Sequence, residues 1–179
     1  QRQMCIRDSD SSDPELIPGE ICVRGENVMA GYYKNQEATE KVIDKDGWLH
    51  TGDMGTVNND DTIFIKGRYK TMILGASGQN IYPEEIESKL NNMPFIMESL
   101  VIEKDGRLVA LVYPDYEAVD DYGIANEDLP VAMEEIRKNL NKEVAPYEQI
   151  AKIHLYPTEF EKTPKRSIKR YLYTNFSPI

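Results

Sequence analysis

The chain has 179 residues, which is enough for one domain with a sizeable core or for two small units. Its 21 Lys and Arg residues against 31 Asp and Glu residues give a formal net charge of −10, and such a field disfavours general binding to nucleic acid. No run of apolar residues approaches the roughly 18 to 20 that a membrane-spanning helix needs, although peripheral contact with a membrane stays open.

The first residues of the chain do not follow the pattern of a domain start. Residues 1–7 show no periodicity, lack an initiating Met and a signal pattern, and run into the turn-rich segment DSDSSDPE. We expect residues 1–18 to form an irregular leader, of which residues 1–9 are suspected to be non-native. The two cysteines, Cys5 and Cys22, match neither a disulfide nor a metal-ligand spacing, which favours a reduced cytoplasmic protein.

Short strands and turns characterise residues 19–69. Polar and apolar residues alternate over 20–24, which predicts a half-buried strand. Asn35 is suited to cap a short helix over 35–43. Two further strands, 54–58 and 62–66, are predicted on either side of a turn at Asn59-Asp60-Asp61. This part of the chain is therefore expected to be a small β-rich unit.

Helices and strands alternate over residues 70–179. Pro83, followed by acidic residues, is suited to the first turn of a helix. A longer helix is predicted over 128–144 because apolar side chains recur on one of its faces. Those side chains belong to Met133, Ile136, Leu140 and Val144. The remaining predicted elements are three strands and a C-terminal helical turn, at 99–102, 108–113, 153–156 and 167–173. The whole chain is thus expected to be α+β, with a compact α+β unit following the β-rich one.

The part of the chain made of short strands and turns is followed by the part in which helices and strands alternate. The boundary falls at the polar, glycine-containing segment Gly67–Lys70. Boundaries between units fall in such exposed steps, and a few residues there can absorb a large rotation of one unit against the other. The sequence therefore predicts a hinge at this step.

Three motifs follow one another across this boundary. In GWLHTGD, Asp53 stands in a glycine-containing turn, where its two carboxylate oxygens could hold the vicinal hydroxyls of a ribose. In IKGRYK, Arg68 carries the planar, permanently charged group that suits phosphate or a ribose oxygen. In GASGQNIYPEEIE, a loop of small residues runs into a helix N-terminus, where backbone amides can approach a ligand. Each motif alone is more often a capped turn, a basic turn or a plain connector.

In this order and spacing, the motifs resemble the adenylate-forming superfamily of acyl-CoA synthetases, nonribosomal-peptide adenylation domains and luciferases. The resemblance begins at GEI and GYY within residues 19–33 and extends through the three motifs to the basic segment at 161–170. The SGQNIYP form of the loop is most similar to bacterial long-chain fatty-acid CoA ligases. The resemblance implies that 19–69 is the end of a large N-terminal adenylation domain and that 70–179 is the mobile C-terminal domain.

The resemblance also implies roles for individual residues. Asp53 would hold the ribose hydroxyls of the adenylate, and Arg68 would lie near the ribose or phosphate of the same nucleotide. Lys70 would be the hinge about which the C-terminal domain turns between an adenylating and a thioester-forming pose. In the second pose, Ser77 and Gly78 would line the path of the CoA pantetheine arm.

The basic segment EKTPKRSIKR departs from the family pattern. The family has a lysine here that enters the adenylation site and stabilises charge between the carboxylate and the α-phosphate. In the register anchored on Arg170, Ser167 stands where this lysine is expected. Lys169, and after it Lys165, are therefore the candidates for the catalytic lysine. Alternatively, the cluster is a solvated basic face or a patch for an acidic membrane.

The implied reaction has two steps, in which a carboxylate and ATP form an acyl-adenylate and CoA then displaces AMP to give a thioester. ATP or AMP and CoA are the expected cofactors, and a fatty acid is the expected carboxylate. Mg²⁺ is expected in the full-length enzyme, but no metal ligand is assigned within these residues. The N-terminal domain that holds most of the active site is the expected partner, so the 179-residue chain alone is predicted to be inactive.

Two other functions stay open at this point. The same motifs serve adenylation domains that load the phosphopantetheine of a carrier protein instead of free CoA. The departure at Ser167 would also suit a binding or regulatory module that kept the fold and lost catalysis. Either form is expected to be cytoplasmic, with or without peripheral membrane contact.

Overall fold

Four antiparallel strands, in the order β1-β2-β3-β4, form the sheet of the first of two units into which the chain divides. The structure is a computed structural model, which describes residues 3–7, 18–58, 60, 62–75, 78–174 and 176. The units are Gln1–Met72 and Ile73–Ile179. The elements of the first are β1 Gln3–Arg7, β2 Gly19–Arg24, α1 Gln36–Glu40, β3 Leu49–Val57 and β4 Ile63–Arg68.

The short helix α1 begins where the sequence predicts but ends earlier. The Asn35 side chain accepts a hydrogen bond from the Ala38 amide at 3.0 Å, which satisfies one of the amides that a helix N-terminus leaves unpaired. The helix was expected to continue to Ile43, but Ile43 instead forms a bridge with Leu49 at the start of β3. Ile43 therefore pairs with the start of β3 instead of extending the helix.

The expectation of an irregular leader is wrong for Gln3–Arg7. These residues form β1, which pairs antiparallel with β2 so that Gln3 lies opposite Arg24 and Arg7 opposite Glu20. Local periodicity could not predict this strand, because its partner lies in β2 rather than in the neighbouring residues.

The second unit carries a three-stranded mixed sheet in the order β7-β8-β9. The strand β8 pairs antiparallel with β7 and parallel with β9. A parallel connection needs a crossover, which two helices between β8 and β9 provide. The elements are β5 Ile73–Leu74, β6 Asn80–Ile81, α2 Pro83–Leu90, β7 Ile96–Lys104, β8 Arg107–Pro114, α3 Tyr116–Asp121, α4 Leu129–Glu143 and β9 Ile150–Leu155.

The strand β8 separates two hydrophobic clusters, because its side chains alternate between the faces of the sheet. Ala110 and Val112 belong to a cluster that includes Leu140 of α4. Val109 and Leu111 belong to a second cluster, with Phe160 and Tyr173 of the C-terminal segment. The C-terminal segment is thus held to the opposite face of the sheet from α4.

The predicted helical turn over 167–173 is wrong for its first half. Only Arg170–Leu172 forms a turn of 3-10 helix, and a bridge joins Lys162 to Ile168. The Thr163 amide donates to the Ser167 carbonyl at 2.8 Å, so the backbone pairs across a hairpin rather than along a helix. Within the described residues, no helix is both long and apolar enough to cross a membrane.

The packing of α4 generates a stability prediction. We expect Leu140→Ala to lower the free energy of unfolding by about 2–5 kcal/mol, because the side chain is fully buried and its removal leaves a cavity. Val131→Ala on the same helix is the matched control, since Val131 is 67% exposed. Urea unfolding of the chain measures both variants, and equal effects would contradict this packing.

Candidate functional site

A bulge in β3 places Asp53. Glu20 of β2 pairs with Met54, and Cys22 pairs with His50, so that residues 51–53 of β3 stand opposite Ile21 alone. Such bulges bend a strand and re-aim a side chain. Gly52 lies within the bulge at φ +73°, a conformation that a residue with a Cβ adopts only with strain. The glycine of this motif is therefore required by the backbone of the bulge.

Two side chains hold the bulge in place. The Thr51 hydroxyl donates to the Ile21 carbonyl at 2.7 Å and accepts from the Asp53 amide at 3.1 Å. The Gly52 amide donates to Glu20 Oε1 at 2.9 Å. The amides of Gly52 and Asp53 are thus satisfied by side chains instead of by the strand ladder.

The structure brings together Asp53 and Arg68, the two predicted nucleotide-binding residues. They stand opposite each other on β3 and β4, and Arg68 Nε lies 2.9 Å from Asp53 Oδ1. The Asp53 side chain is 31% exposed and the Arg68 side chain 63% exposed. An ion pair at this exposure contributes only about 0–1 kcal/mol to stability, so the pair is accessible to a ligand at little cost to the fold.

Lys70 lies in the turn that follows β4. The Tyr69 amide donates to the Gly52 carbonyl at 3.0 Å, and the Thr71 amide donates to the Arg68 carbonyl at 3.1 Å. The turn that contains the predicted hinge residue is therefore attached to the bulge that carries Asp53.

His50 has partners that the sequence analysis missed. Its Nδ1 lies 2.7 Å from Glu20 Oε2, and its Nε2 lies 3.7 Å from Asp44 Oδ2. The hydrogen bond to Glu20 raises the pKa of His50, and the Asp44 carboxylate acts in the same direction. Glu20 lies 30 positions away in the sequence, so only the pairing of β2 with β3 reveals the contact.

Glu20, Cys22 and His50 also offer three ligand atoms within 4.8 Å of one another. A thiolate, an imidazole and a carboxylate are donors that Zn²⁺ accepts. In this structure, however, the Glu20 oxygens are engaged by Gly52 and His50, and the Cys22 sulfur lies 3.6 Å from His50 Nδ1. Hydrogen bonding accounts for this cluster, and we assign no metal to it.

The loop between β5 and β6 carries Gly78. The Gly75 amide donates to the Gln79 carbonyl at 2.8 Å, and the Gly78 amide donates to the Gly75 carbonyl at 2.9 Å. Gly78 has φ +85°, so the loop needs glycine there. Ser77, the other residue predicted for the CoA path, lies outside the described residues. A cleft of about 280 Å³ borders the loop and is lined in part by Gly75 and Arg107.

The basic segment forms a narrow hairpin. Lys162 and Ile168 form a bridge, and the Ser167 amide donates to the Thr163 hydroxyl at 3.3 Å. Arg166, beside the tip, has φ +61°, which closes the turn. Ser167 is exposed on the returning arm.

Arg170 fixes the register of this hairpin. Its guanidinium pairs with Glu87 of α2, and Nη1 donates to the Val101 carbonyl of β7 at 3.2 Å. The Val101 amide in turn donates to Glu87 Oε1 at 2.6 Å. Burial raises the pKa of Glu87 to about 7, and the positive charge of Arg170 opposes this rise. A shift by one residue would remove Arg170 from these contacts and expose Ile168.

The two candidate lysines differ in their surroundings. Lys169 Nζ lies 3.1 Å from Glu161 Oε2, across the hairpin. The Lys169 amide donates to the Glu161 carbonyl at 2.8 Å, so Lys169 lies on the returning arm of the hairpin that also carries Ser167. Lys165 is exposed at the tip, and no partner for its ammonium group is found in the described stretch 78–174.

Comparison with known proteins finds many similar sequences, although no family model matches the chain. The chain is 38% identical to 4-coumarate–CoA ligase 5 of Oryza sativa subsp. japonica, over 91% of the chain and 29% of that ligase. It is 34% identical to 4-coumarate–CoA ligase 1 of Arabidopsis thaliana, over 94% of the chain and 29% of that ligase. The chain therefore spans less than a third of the length of these relatives.

Solved structures share the fold. The o-succinylbenzoate CoA synthetase MenE of Bacillus subtilis, in complex with its acyl-adenylate intermediate, gives a TM-score of 0.79 at 25% identity over 98% of the chain and 34% of that structure. The adenylation domain of a carboxylate reductase from Mycobacterium chelonae gives 0.81 at 23% identity over 97% of the chain and 29% of that structure. The second similarity shows the fold alone.

The surroundings of His50 generate a prediction of pH dependence. Folding raises the pKa of His50 above its usual 6.5, so its contribution to stability is fully present below that value and is lost as pH rises through the pKa of the folded state. We expect the loss of stability caused by His50→Gln to be larger at low pH than at high pH. Urea unfolding across this range measures the difference.

His154 is the matched control, because burial lowers its pKa. The unfolded state then binds the proton more readily, so the His154 contribution favours folding as pH rises. The two substitutions should therefore change the pH profile of stability in opposite directions. Profiles that change in the same direction would contradict the assigned environment of His50.

Proposed function

Because the chain belongs to the adenylate-forming acyl-CoA synthetase superfamily and corresponds to its C-terminal portion, we propose that the full-length protein is an ATP-dependent acid–thiol ligase. The observation that carries the proposal is the pairing of Asp53 with Arg68 beside the bulge. The plant relatives are named as CoA ligases, which favours free CoA over a carrier protein as the acceptor.

Asp53 and Arg68 hold the adenylate ribose in this proposal. A carboxylate is an acceptor that can take hydrogen bonds from two neighbouring hydroxyls, one on each oxygen. The Arg68 guanidinium lies against the same carboxylate, with Nε 2.9 Å from Asp53 Oδ1. Its remaining donors are suited to a ribose or phosphate oxygen.

The reaction proceeds through an acyl-adenylate. A carboxylate oxygen attacks the α-phosphorus of ATP, the bond to pyrophosphate breaks, and pyrophosphate leaves. The CoA thiolate then attacks the acyl carbon, and AMP leaves with both electrons of the acyl–oxygen bond. Mg²⁺ is expected in the full-length enzyme to neutralise phosphate charge, with ligands from residues outside this chain.

Lys169 supplies the catalytic positive charge in this proposal. The Arg170 contacts and the Lys162–Ile168 bridge support the register in which Ser167 stands at the expected lysine position. Lys169 lies on the same arm of the hairpin as Ser167, and its pairing with the exposed Glu161 is weak enough to be exchanged for a phosphate. Lys165 points from the tip and is the second candidate.

Lys70 and Gly78 serve the conformational step. Lys70 is the proposed hinge, in the turn attached to the bulge, and the boundary between the two units falls two residues further along the chain, between Met72 and Ile73. Gly78, with Ser77 beside it, is the proposed lining of the pantetheine path. Apart from its chain neighbours, a Cβ added at Gly78 would meet no atom of the described residues within 4 Å, so there is open space beside this glycine for a narrow thiol arm.

The acyl substrate is proposed to be a carboxylic acid. The SGQNIYP loop favours a long-chain fatty acid, whereas the plant relatives are named for 4-coumarate. Residues of an acyl pocket are not assigned within this chain, so the loop is the sole support for the narrower class. A cytoplasmic location, with or without peripheral membrane contact, is proposed because Cys5 and Cys22 match no disulfide spacing.

The 179-residue chain alone is expected to show no ATP–pyrophosphate exchange, because the chain spans less than a third of its relatives. The full-length protein should show exchange with a suitable carboxylic acid and should form the CoA thioester. The assay follows labelled pyrophosphate entering ATP, with 4-coumarate and a long-chain fatty acid as parallel substrates. Turnover by the chain alone would contradict the fragment assignment, and none by the full-length protein would contradict the ligase assignment.

In the full-length protein, Lys169→Ala should reduce the rate of ATP–pyrophosphate exchange by about 10²–10³, because a charge that stabilises the transition state is lost. Lys165→Ala is the matched control on the same hairpin and should change the rate little. Thioester formation from supplied acyl-adenylate should persist in both variants. A larger loss for Lys165→Ala would reverse the assignment, and unchanged exchange in both would refute it.

A further inference from the structure

Glu20 contacts both the bulge that carries Asp53 and the residue that precedes it. One carboxylate oxygen accepts from the Gly52 amide at 2.9 Å, inside the bulge. The other lies 2.7 Å from Nδ1 of His50, the last residue before it. Glu20 sits on the neighbouring strand β2, so the bulge is held from outside its own strand.

A carboxylate is suited to this position because it can accept from two donors at once. The Gly52 amide has left the strand ladder, and a buried amide without a partner costs about 1–3 kcal/mol. Glycine also has more backbone freedom than any other residue type. Without the Glu20 contact, the bulge at Gly52 would therefore sample other conformations. Asp53 follows Gly52 directly, and its direction depends on the backbone there.

His50 is itself held by charged groups from β2 and from the segment that precedes β3. Glu20 faces its Nδ1, Asp44 faces its Nε2, and the Cys22 sulfur lies 3.6 Å from Nδ1. Two carboxylates around one imidazole favour its charged form, in which both ring nitrogens donate. His50 thereby fixes the orientation of Glu20 towards the bulge.

We infer that Glu20, oriented by His50, is a positioning residue for Asp53 in nucleotide binding. The inference rests on the proposed function, since it gives the purpose of holding Asp53 in one direction. Glu20 contacts Gly52 and His50, so its role is exercised through the bulge. Asp53 binds the ribose in the ground state and in the transition state alike, so loss of positioning should weaken nucleotide binding more than it slows chemistry.

The test uses the full-length protein with Glu20→Ala, Glu20→Gln and the control Glu26→Ala, an exposed acid that follows β2. Glu20→Ala should raise KM for ATP by about tenfold to a hundredfold with a much smaller change in kcat. Glu20→Gln keeps an acceptor for Gly52 and offers a donor to neutral His50, so it should restore KM at high pH. At low pH His50 is charged, and its Nδ1–H then faces the NH2 group of the substituted side chain. Two donors face each other, so the rescue should fail.

An unchanged KM in Glu20→Ala, or a fall in kcat alone, would overturn the inference, as would a rescue by Glu20→Gln that does not depend on pH. If Glu20→Ala does not fold, the pH-dependent rescue by Glu20→Gln decides. A rise in KM for Glu26→Ala as large as that for Glu20→Ala would also contradict the inference.

Amide hydrogen exchange separates this inference from the proposed function. If the full-length protein lacks ligase activity, the proposed function fails, and the Gly52 amide still reports on the bulge. Exchange at Gly52 should be faster in Glu20→Ala than in the wild-type protein and the Glu26→Ala control, because the amide loses its acceptor. Equal exchange rates would overturn the positioning role whatever the activity.

Discussion

A single bulge determines where the functional groups of the first unit lie. Three residues of β3 stand opposite Ile21, and the geometry is possible because Gly52 accepts a positive φ. Thr51 and Glu20 satisfy the amides that the bulge removes from the ladder. The Gly52 carbonyl accepts from the Tyr69 amide, so the turn that follows β4 depends on the same bulge. The proposed nucleotide contact and the proposed hinge are thereby joined through one segment of backbone.

In the second unit, the corresponding constraint is the position of Arg170. Its contacts with Glu87 and Val101 attach the C-terminal segment to α2 and β7. With Arg170 fixed, the hairpin has one register, and Ser167 takes an exposed place on it. This register supports the alignment in which Ser167 stands at the lysine position expected from the family resemblance. The proposed chemistry then depends on Lys169, two residues further along the same arm of the hairpin.

The sequence predicted the features that rest on local patterns. The apolar stripe of α4, the proline at the start of α2 and the Asn35 cap all depend on neighbouring residues, and their elements are present. The family and the α+β fold are confirmed by the relatives. The partners of His50 escaped prediction because they depend on strand register. The first half of the segment 167–173 was wrongly expected to be helical, because its backbone pairs across a hairpin with Lys162 and Thr163, which periodicity does not reveal.

The central claim is that Asp53 on the bulge holds the ribose hydroxyls of an adenine nucleotide. Calorimetric titration of the full-length protein with AMP and with 2′,3′-dideoxy-AMP tests it most directly, with Asp53→Asn as the comparison. The account predicts that the wild-type protein binds AMP more tightly by about tenfold or more, and that Asp53→Asn loses most of this preference, because charge-assisted hydrogen bonds to the hydroxyls are removed. Equal affinity of the wild-type protein for the two nucleotides would contradict the claim.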